Sequence, residues 1–360
     1  MSENAIKIGL SAENQSDLLD RRVSVAPMMD WTDRHCRYFL RGFGPRTLLY
    51  TEMITAAAIL RGDRERLLAY DAEEHPIALQ LGGSEPRELA LAARAGEAAG
   101  YDEINLNCGC PSDRVASGAF GACLMREPER VAECVAEMRA AVSIPVTVKM
   151  RVGVVNTHAG DSREAISRFD EADFDALHSF VGKLARSGCA AAIIHARKAM
   201  LGGLSPKANR EIPPLRYDVV RCIRQAFPQL PVIVNGGFRE ADSALQALNW
   251  CDGVMLGREA YHRPFVLSEL HAALFPEETV AEPPSRASLL ERMARYSDRQ
   301  LARGERLAAI TRHMLGLYGG QPGARDFRRF LSEGTRVAGA GAEVLRQAGR
   351  LAEEPLRKGA

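Results

Sequence analysis

Eight times along the chain a short apolar run ends in a polar or glycine-containing turn: residues 23–30, 47–52, 76–82, 103–107, 145–151, 190–195, 231–237 and 251–258. Runs this short, bounded by turn residues, read as buried strands. Most are followed by a helical pattern. Residues 85–99 open with Pro86 and carry Glu88 in the first turn, and residues 128–142 place Val131, Val135, Met138 and Val142 on one face. Strands alternating with helices imply parallel strands joined by right-handed crossovers. Eight such units predict an α/β fold, a (β/α)8 TIM barrel, whose functional residues gather at the C-terminal ends of the strands. A doubly wound open sheet is the alternative, but no G-x-G-x-x-G follows the first run.

The pattern also divides the chain. Residues 1–20 are polar and aperiodic and are expected to be a mobile lead-in, residues 21–270 form the barrel, residues 276–284 with three prolines read as a linker, and residues 285–350 form a smaller all-helical domain. Size agrees, since a barrel needs about 250 residues. No apolar segment approaches the length of a membrane span or a secretory signal, and the eight cysteines lack regular spacing, so a soluble, reduced, cytoplasmic chain is expected, as a monomer and without a structural metal.

Net charge is only +1, but residues 286–358 hold fifteen Arg or Lys against eight Asp or Glu, so the tail is basic and the remainder acidic. Within it Arg292, Arg295, Arg299, Arg303 and Arg306 recur at helical spacing, which predicts one arginine face. Such a face is either simply solvated or tracks a polyanion, and Arg325, Arg328 and Arg329 add to it.

The run ends bring chemistry to one mouth: Met28, Met29 and Asp30; Glu52; Gln80; Asn105, Asn107 and Cys110; Lys149 and Arg151; His195; Asn235, Gly236 and Gly237; Gly257 and Arg258. Cys110 sits on an abrupt turn, between Gly109 and Pro111, where a thiol is presented at a strand's end; Gly109 is expected to let the backbone kink and Cys108 to point back toward the strand's packing or the turn itself. Lys149 is one of only six lysines against forty-one arginines, which points to a task needing a compact point charge. The glycine turns after the last two strands, one with an arginine, favour a phosphate site, although plain tight turns have the same composition.

Taken together, Ala26-Pro-Met-Met-Asp-Trp-Thr-Asp33, Asn105-Leu-Asn-Cys-Gly-Cys-Pro-Ser112, Val148-Lys-Met-Arg151, Ile194-His-Ala-Arg-Lys198 and Val234-Asn-Gly-Gly-Phe238 resemble the motifs of the tRNA-dihydrouridine synthases. The stretch from Gly202 to Leu215, Arg312-His-Met-Leu-Gly-Leu317 and Pro322-Gly-Ala-Arg325 resemble the A-type enzymes, which reduce uridines 20 and 20a of the tRNA D-loop. The stretch 154–175 departs from that pattern by its length. The resemblance implies FMN, held by Pro27, Met28, Met29, Gln80, Lys149, His195, Asn235, Gly236, Gly237, Gly257 and Arg258, with NADPH as reductant. It implies Cys110 as the acid that protonates the uracil ring, and tRNA contacts at Asn107, Arg197, Lys198, Lys207, Asn209, Arg210, Arg312, Arg325 and Arg328, to which the arginine face adds Arg295 and Arg299. The chemistry is consistent: a free thiol with a pKa of about 8.5 is mostly protonated at neutral pH and can donate, and a lysine can offset negative charge on a reduced flavin. Two other readings compete: a flavin barrel acting on a free pyrimidine, which has no use for the basic tail, and a tRNA-binding protein with a vestigial barrel, against which the intact Cys110, Lys149 and His195 argue.

Overall fold

The computed structural model describes residues 19–111, 120–156, 167–202, 204–278 and 284–358. The expected lead-in therefore lies, except for residues 19 and 20, outside the described residues, as does part of the long stretch 154–175.

Every predicted run contains one strand. These are β1 (Val23–Val25), β2 (Leu48–Tyr50), β3 (Ile77–Gly82), β4 (Glu103–Cys108), β5 (Val146–Arg151), β6 (Ala192–His195), β7 (Val232–Asn235) and β8 (Gly253–Leu256). Each pairs in parallel with the next, β2 meeting β3 through Leu49 opposite Ile77, and β8 returns to β1 with Val25 opposite Leu256. The sheet is closed, so no strand edge is left unpaired in the barrel.

The strands stop where the chemistry of their ends begins. β1 ends before Pro27, which has no N–H to donate, and the chain then turns: Thr32 N donates to Met28 O, and Met28 N to Thr32 Oγ1 at 2.9 Å. Helices α1 (Arg34–Arg41), α2 (Ala56–Arg61), α3 (Pro86–Ala98), α4 (Pro128–Ala141), α5 (Glu171–Arg186), α6 (Tyr217–Ala226), α7 (Ala241–Ala247) and α8 (Phe265–Leu274) fill the crossovers. In α4 the buried stripe is Val131, Cys134, Val135 and Met138, and the helix ends where Val142 turns extended. Each such aliphatic side chain contributes about 1.5–3 kcal/mol when fully buried. A short parallel pair, Val154–Asn156 with Ala199–Leu201, was not expected; it joins the loops after β5 and β6 above the barrel.

Inside the barrel a small apolar cluster (Leu48, Tyr50, Ala78, Ile193, Ile233, Met255) is threaded by a column of polar side chains. At the N-terminal end the fully buried Glu103 accepts from Tyr50 Oη at 2.5 Å, Thr147 Oγ1 at 2.6 Å and Arg21 Nε at 2.7 Å. Asn105 Nδ2 donates to Thr147 Oγ1, Gln80 Nε2 to Asn105 Oδ1, and Asn107 Nδ2 to Gln80 Oε1, all within 2.7–2.9 Å. Buried polar groups are costly unless satisfied, and here each satisfies the next up to the mouth.

Beyond the barrel lie α9 (Arg286–Leu301), α10 (Leu307–Thr311), α11 (Ala324–Gly334) and α12 (Glu343–Lys358). They share one continuous apolar core with the outer barrel, running from Val23 to Ala352. The predicted single arginine face needs correction. α9 ends at Leu301, and the chain turns through Gly304 at φ 87°, so Arg303 and Arg306 leave the helix. Two of the remaining arginines dock α9 on the barrel: Arg292 lies 4.1 Å over the Tyr38 ring and 3.0 Å from Glu73, and Arg299 is 3.3 Å from Asp71.

Candidate active site

The mouth is built by the C-terminal ends of β3 to β8 and by the turn after β1. Gln80, Asn107, Asn235 and His195 are buried there. Asn235 Nδ2 donates to Met255 O at 2.7 Å, which leaves its Oδ1 to accept from Lys149 Nζ at 3.2 Å. Lys149 is half-buried and has no carboxylate partner among the described residues. Burial, then the Arg151 guanidinium, brings its ammonium down to about 7 against a pull the other way from Cys110. Burial, then Arg151 and Lys149, holds His195 well below the imidazole range, so its ring is neutral at pH 7; its buried Nδ1 has no partner among the described residues.

Cys110 stands half-exposed on the turn after β4. Its N–H and that of Gly109 both donate to Asn107 Oδ1, at 3.0 and 3.1 Å, and its carbonyl accepts from Ala122 N at 2.9 Å. The polar column thus ends on the backbone that carries this thiol. Cys108 is fully buried, and burial pushes its thiol well up. Gly109 does not adopt a positive φ, so the kink does not rest on glycine's left-handed freedom but on the Asn107 acceptor.

The glycine turn after β7 is strained in the glycine sense: Gly236 has φ 110° and Gly237 φ 85°. A side chain on Gly236 would meet the His195 ring at 2.9 Å, and one on Gly237 would meet Leu215 at 2.5 Å. A side chain on Gly257, after β8, would meet only Met28 Sδ, at 3.9 Å. Arg258 follows and is paired with Glu211 at 2.6 Å. Pro27 and Met28 are half-buried beside the rim, and Met29 is exposed.

The basic positions separate on inspection. Lys207 and Arg210 are exposed on the loop after β6, and Arg197 is half-exposed beside the Pro213 carbonyl. Lys198 is buried and paired with Asp173 at 2.6 Å. Asn209 is fully buried, accepts from Met200 N at 2.7 Å and donates to Met200 O and Leu204 O, so it shapes the loop from within. In the tail, Arg295, Arg325 and Arg328 are exposed, whereas Arg312 pairs with Asp33 at 2.6 Å.

Three residues reasoned only as members of the mouth take definite places. Arg151, 5% exposed, donates to Gly109 O, Lys198 O and Asn209 O. Glu52 accepts from the Asp30 N–H, where Asp30 holds the positive φ of 64°, and burial raises its carboxyl. Asn105 is a rung of the polar column. Asp33, an N-cap residue type directly before α1, accepts from Cys36 N and also receives Arg312 and His313, contacts that the sequence does not announce.

A closed parallel barrel whose mouth gathers a neutral imidazole, a depressed lysine, glycine turns and an accessible thiol on a fixed turn defines an α/β-barrel enzyme site. The family model "Dihydrouridine synthase (Dus)" matches residues 24–353, and the chain belongs to that family. Its relatives include three proteins named tRNA-dihydrouridine(20/20a) synthase. The one from Xanthomonas campestris pv. campestris is 52% identical and covers 94% of this chain and 95% of its own. The one from Vibrio cholerae serotype O1 is 51% identical over 94% and 98%, and the one from Salmonella typhi 50% identical over 95% and 98%.

Proposed function

We propose that this protein reduces the C5=C6 bond of uridine to 5,6-dihydrouridine in the D-loop of tRNA, at positions 20 and 20a, using FMN reduced by NADPH. The observation that carries this reading is the juxtaposition of Cys110, on a turn pinned at both N–H groups, with Lys149 and Arg151, which make no ion pair among the described residues; both, with Arg210, lie within electrostatic reach of that thiol.

The residues present fit a flavin. The buried His195 Nδ1, without a partner among the described residues, and the Lys149 ammonium, bonded only to Asn235 Oδ1 among them, offer a donor or acceptor and a charge to a polar ring, and the room around Gly257 beside Arg258 suits a phosphate. Gln80, Lys149, His195 and Asn235 would hold the ring system; Gly236, Gly237, Gly257 and Arg258 the phosphate; Pro27, Met28 and Met29 the near edge. When bound, reduced FMN supplies the hydride that C6 of uracil receives.

The chain's own residues do the rest. Cys110 Sγ–H gives the proton to C5, a general-acid role that requires the thiol protonated and held near the ring. Asn107 fixes the turn through two N–H groups, its amide oriented by Gln80. Lys149 offsets negative charge in a site where burial makes charge count. Uridine in folded RNA must leave its stack to reach such a mouth, and the exposed Lys207, Arg210, Arg295, Arg325 and Arg328 are suited to hold phosphates around it.

The test is chemical. tRNA lacking dihydrouridine, incubated with flavin-loaded protein and NADPH, should gain the mass of two hydrogens on the fragment that spans positions 20 and 20a. A gain confined to other D-loop fragments would remove the positional assignment, and no gain anywhere would remove the function.

A further inference from the structure

We propose that Arg151 is a positioning residue that locks the Cys110 turn to the basic loop after β6, so that the thiol is held at its working place by the same contact that holds the loop. The inference rests on the reading of Cys110 as the proton donor, and it adds a part that the strand-end pattern did not assign.

Arg151 ends β5, directly opposite His195 of β6 in the parallel register. Its guanidinium is spent on main chain from three segments. Nε donates to Gly109 O at 3.0 Å, and Nη1 donates to Lys198 O at 3.2 Å and Asn209 O at 2.9 Å. The Gly109 peptide lies flat on the end of β5, where a built Cβ would sit 3.4–3.5 Å from the Lys149 and Met150 backbone. Seen from the other side, Asn107 Oδ1 takes the N–H groups of Gly109 and Cys110. The turn is therefore held at its amide edge by Asn107 and at its carbonyl edge by Arg151.

The loop end of the clamp is equally defined. Asn209 staples Met200 and Leu204 from a fully buried position, so the carbonyls that Arg151 grips belong to one folded unit. That unit carries the exposed Lys207 and Arg210 and the half-exposed Arg197.

The charge pattern excludes an ordinary ion-pair role. Arg151 makes no ion pair among the described residues, its charged neighbours are Lys149, Arg197 and Arg210, and burial with that repulsion brings it down to about 10 even though Cys110 pulls the other way. A buried cation among cations is retained at a cost. What a planar, five-donor fork gains there is simultaneous reach to three carbonyls, which a lysine cannot reproduce.

The test uses Arg151→Lys in the flavin-loaded full chain, with Asn209→Ala as a second way to loosen the same clamp. Three quantities are read: the rate at which iodoacetamide labels Cys110, located by peptide mass spectrometry without RNA; the single-turnover rate of reduced-flavin oxidation by tRNA; and the tRNA dissociation constant. The expected result is a several-fold change in Cys110 labelling, a turnover rate lower by up to about 10²-fold, as for a misplaced reacting group, and tRNA affinity within twofold of wild type. Unchanged labelling and turnover in both variants would overturn the proposal, and so would an affinity loss that accounts for the whole rate loss, which would make Arg151 an RNA contact. If wild-type protein itself fails to oxidise its flavin with tRNA, the functional reading fails instead, while the labelling result still decides whether the clamp exists.

Discussion

At the scale of single residues, position in the barrel separates side chains that composition leaves equivalent. Two thiols sit two residues apart on β4 and its turn, yet Cys108 is sealed in the packing and Cys110 faces the mouth. Strand alternation alone would put both on one side, so it is the turn after β4, held by Asn107 Oδ1, that separates them. Lys149 is a sharper case. With protein groups alone around it, it titrates at about 7, because burial and Arg151 disfavour its charge. Binding an anionic ligand favours the charged form, so above that pH binding must take up a proton. The affinity of flavin-free protein for FMN should therefore fall as pH rises from 7.5 to 9.5, by up to about tenfold per pH unit. Fluorescence titration checks this, and Lys149→Met should bind more weakly with a flatter profile. A wild-type profile that is flat or rises would show that Lys149 does not meet negative charge.

At the scale of elements, the eight strands and the long helices were legible because burial writes itself locally, as apolar runs with polar ends and as stripes at helical spacing. Contacts between distant segments are not written that way. The pair Val154–Asn156 with Ala199–Leu201 joins loops over forty residues apart, and nothing in either stretch names its partner. Charge periodicity likewise ran past the end of α9, because arginines continue the spacing where Gly304 has already turned the chain. The contact of α1 with the tail shows what such sequence reading misses. Asp33 caps α1 through Cys36 N and receives Arg312 at 2.6 Å and His313 at 3.0 Å, while Tyr296 stacks on Tyr38 with centroids 3.9 Å apart. Burial alone would push the Asp33 carboxyl up, but the bonds from His313, Cys36 N–H and Arg312 hold it well below the usual carboxylate range. A carboxyl depressed in the folded state adds stability that is present above its unfolded pKa, about 3.9, and is lost as pH falls through the folded value. Asp33→Asn keeps a capping oxygen and loses the charge pairs. It should lower unfolding stability at pH 7 by about 1.5–3 kcal/mol in urea, the range for hydrogen bonds to charged groups, with the gap narrowing as the pH drops below the carboxylate range. A gap independent of pH would mean that the pairs with Arg312 and His313 contribute nothing.

At the scale of the whole molecule, the acidic barrel and the basic tail are partly each other's counter-charge. Arg292, Arg299 and Arg312 are committed to Glu73, Asp71 and Asp33, and Glu305 of the tail returns the favour to Arg34. Arg295, Arg303, Arg306, Arg325 and Arg328 remain exposed and outside the ion pairs found among the described residues, so the positive surface left for RNA is smaller than the sequence count implied and differently placed. A shared apolar core joins barrel and tail. The central claim is that the mouth reduces that base with Cys110 as its acid, and single-turnover oxidation of pre-reduced, flavin-loaded protein by tRNA tests it most directly. Cys110→Ala should be reduced by NADPH as wild type is and then transfer to tRNA roughly 10²–10⁴-fold more slowly, while Cys108→Ala transfers at close to the wild-type rate. Equal rates in the two variants, or an unimpaired Cys110→Ala, would contradict the account.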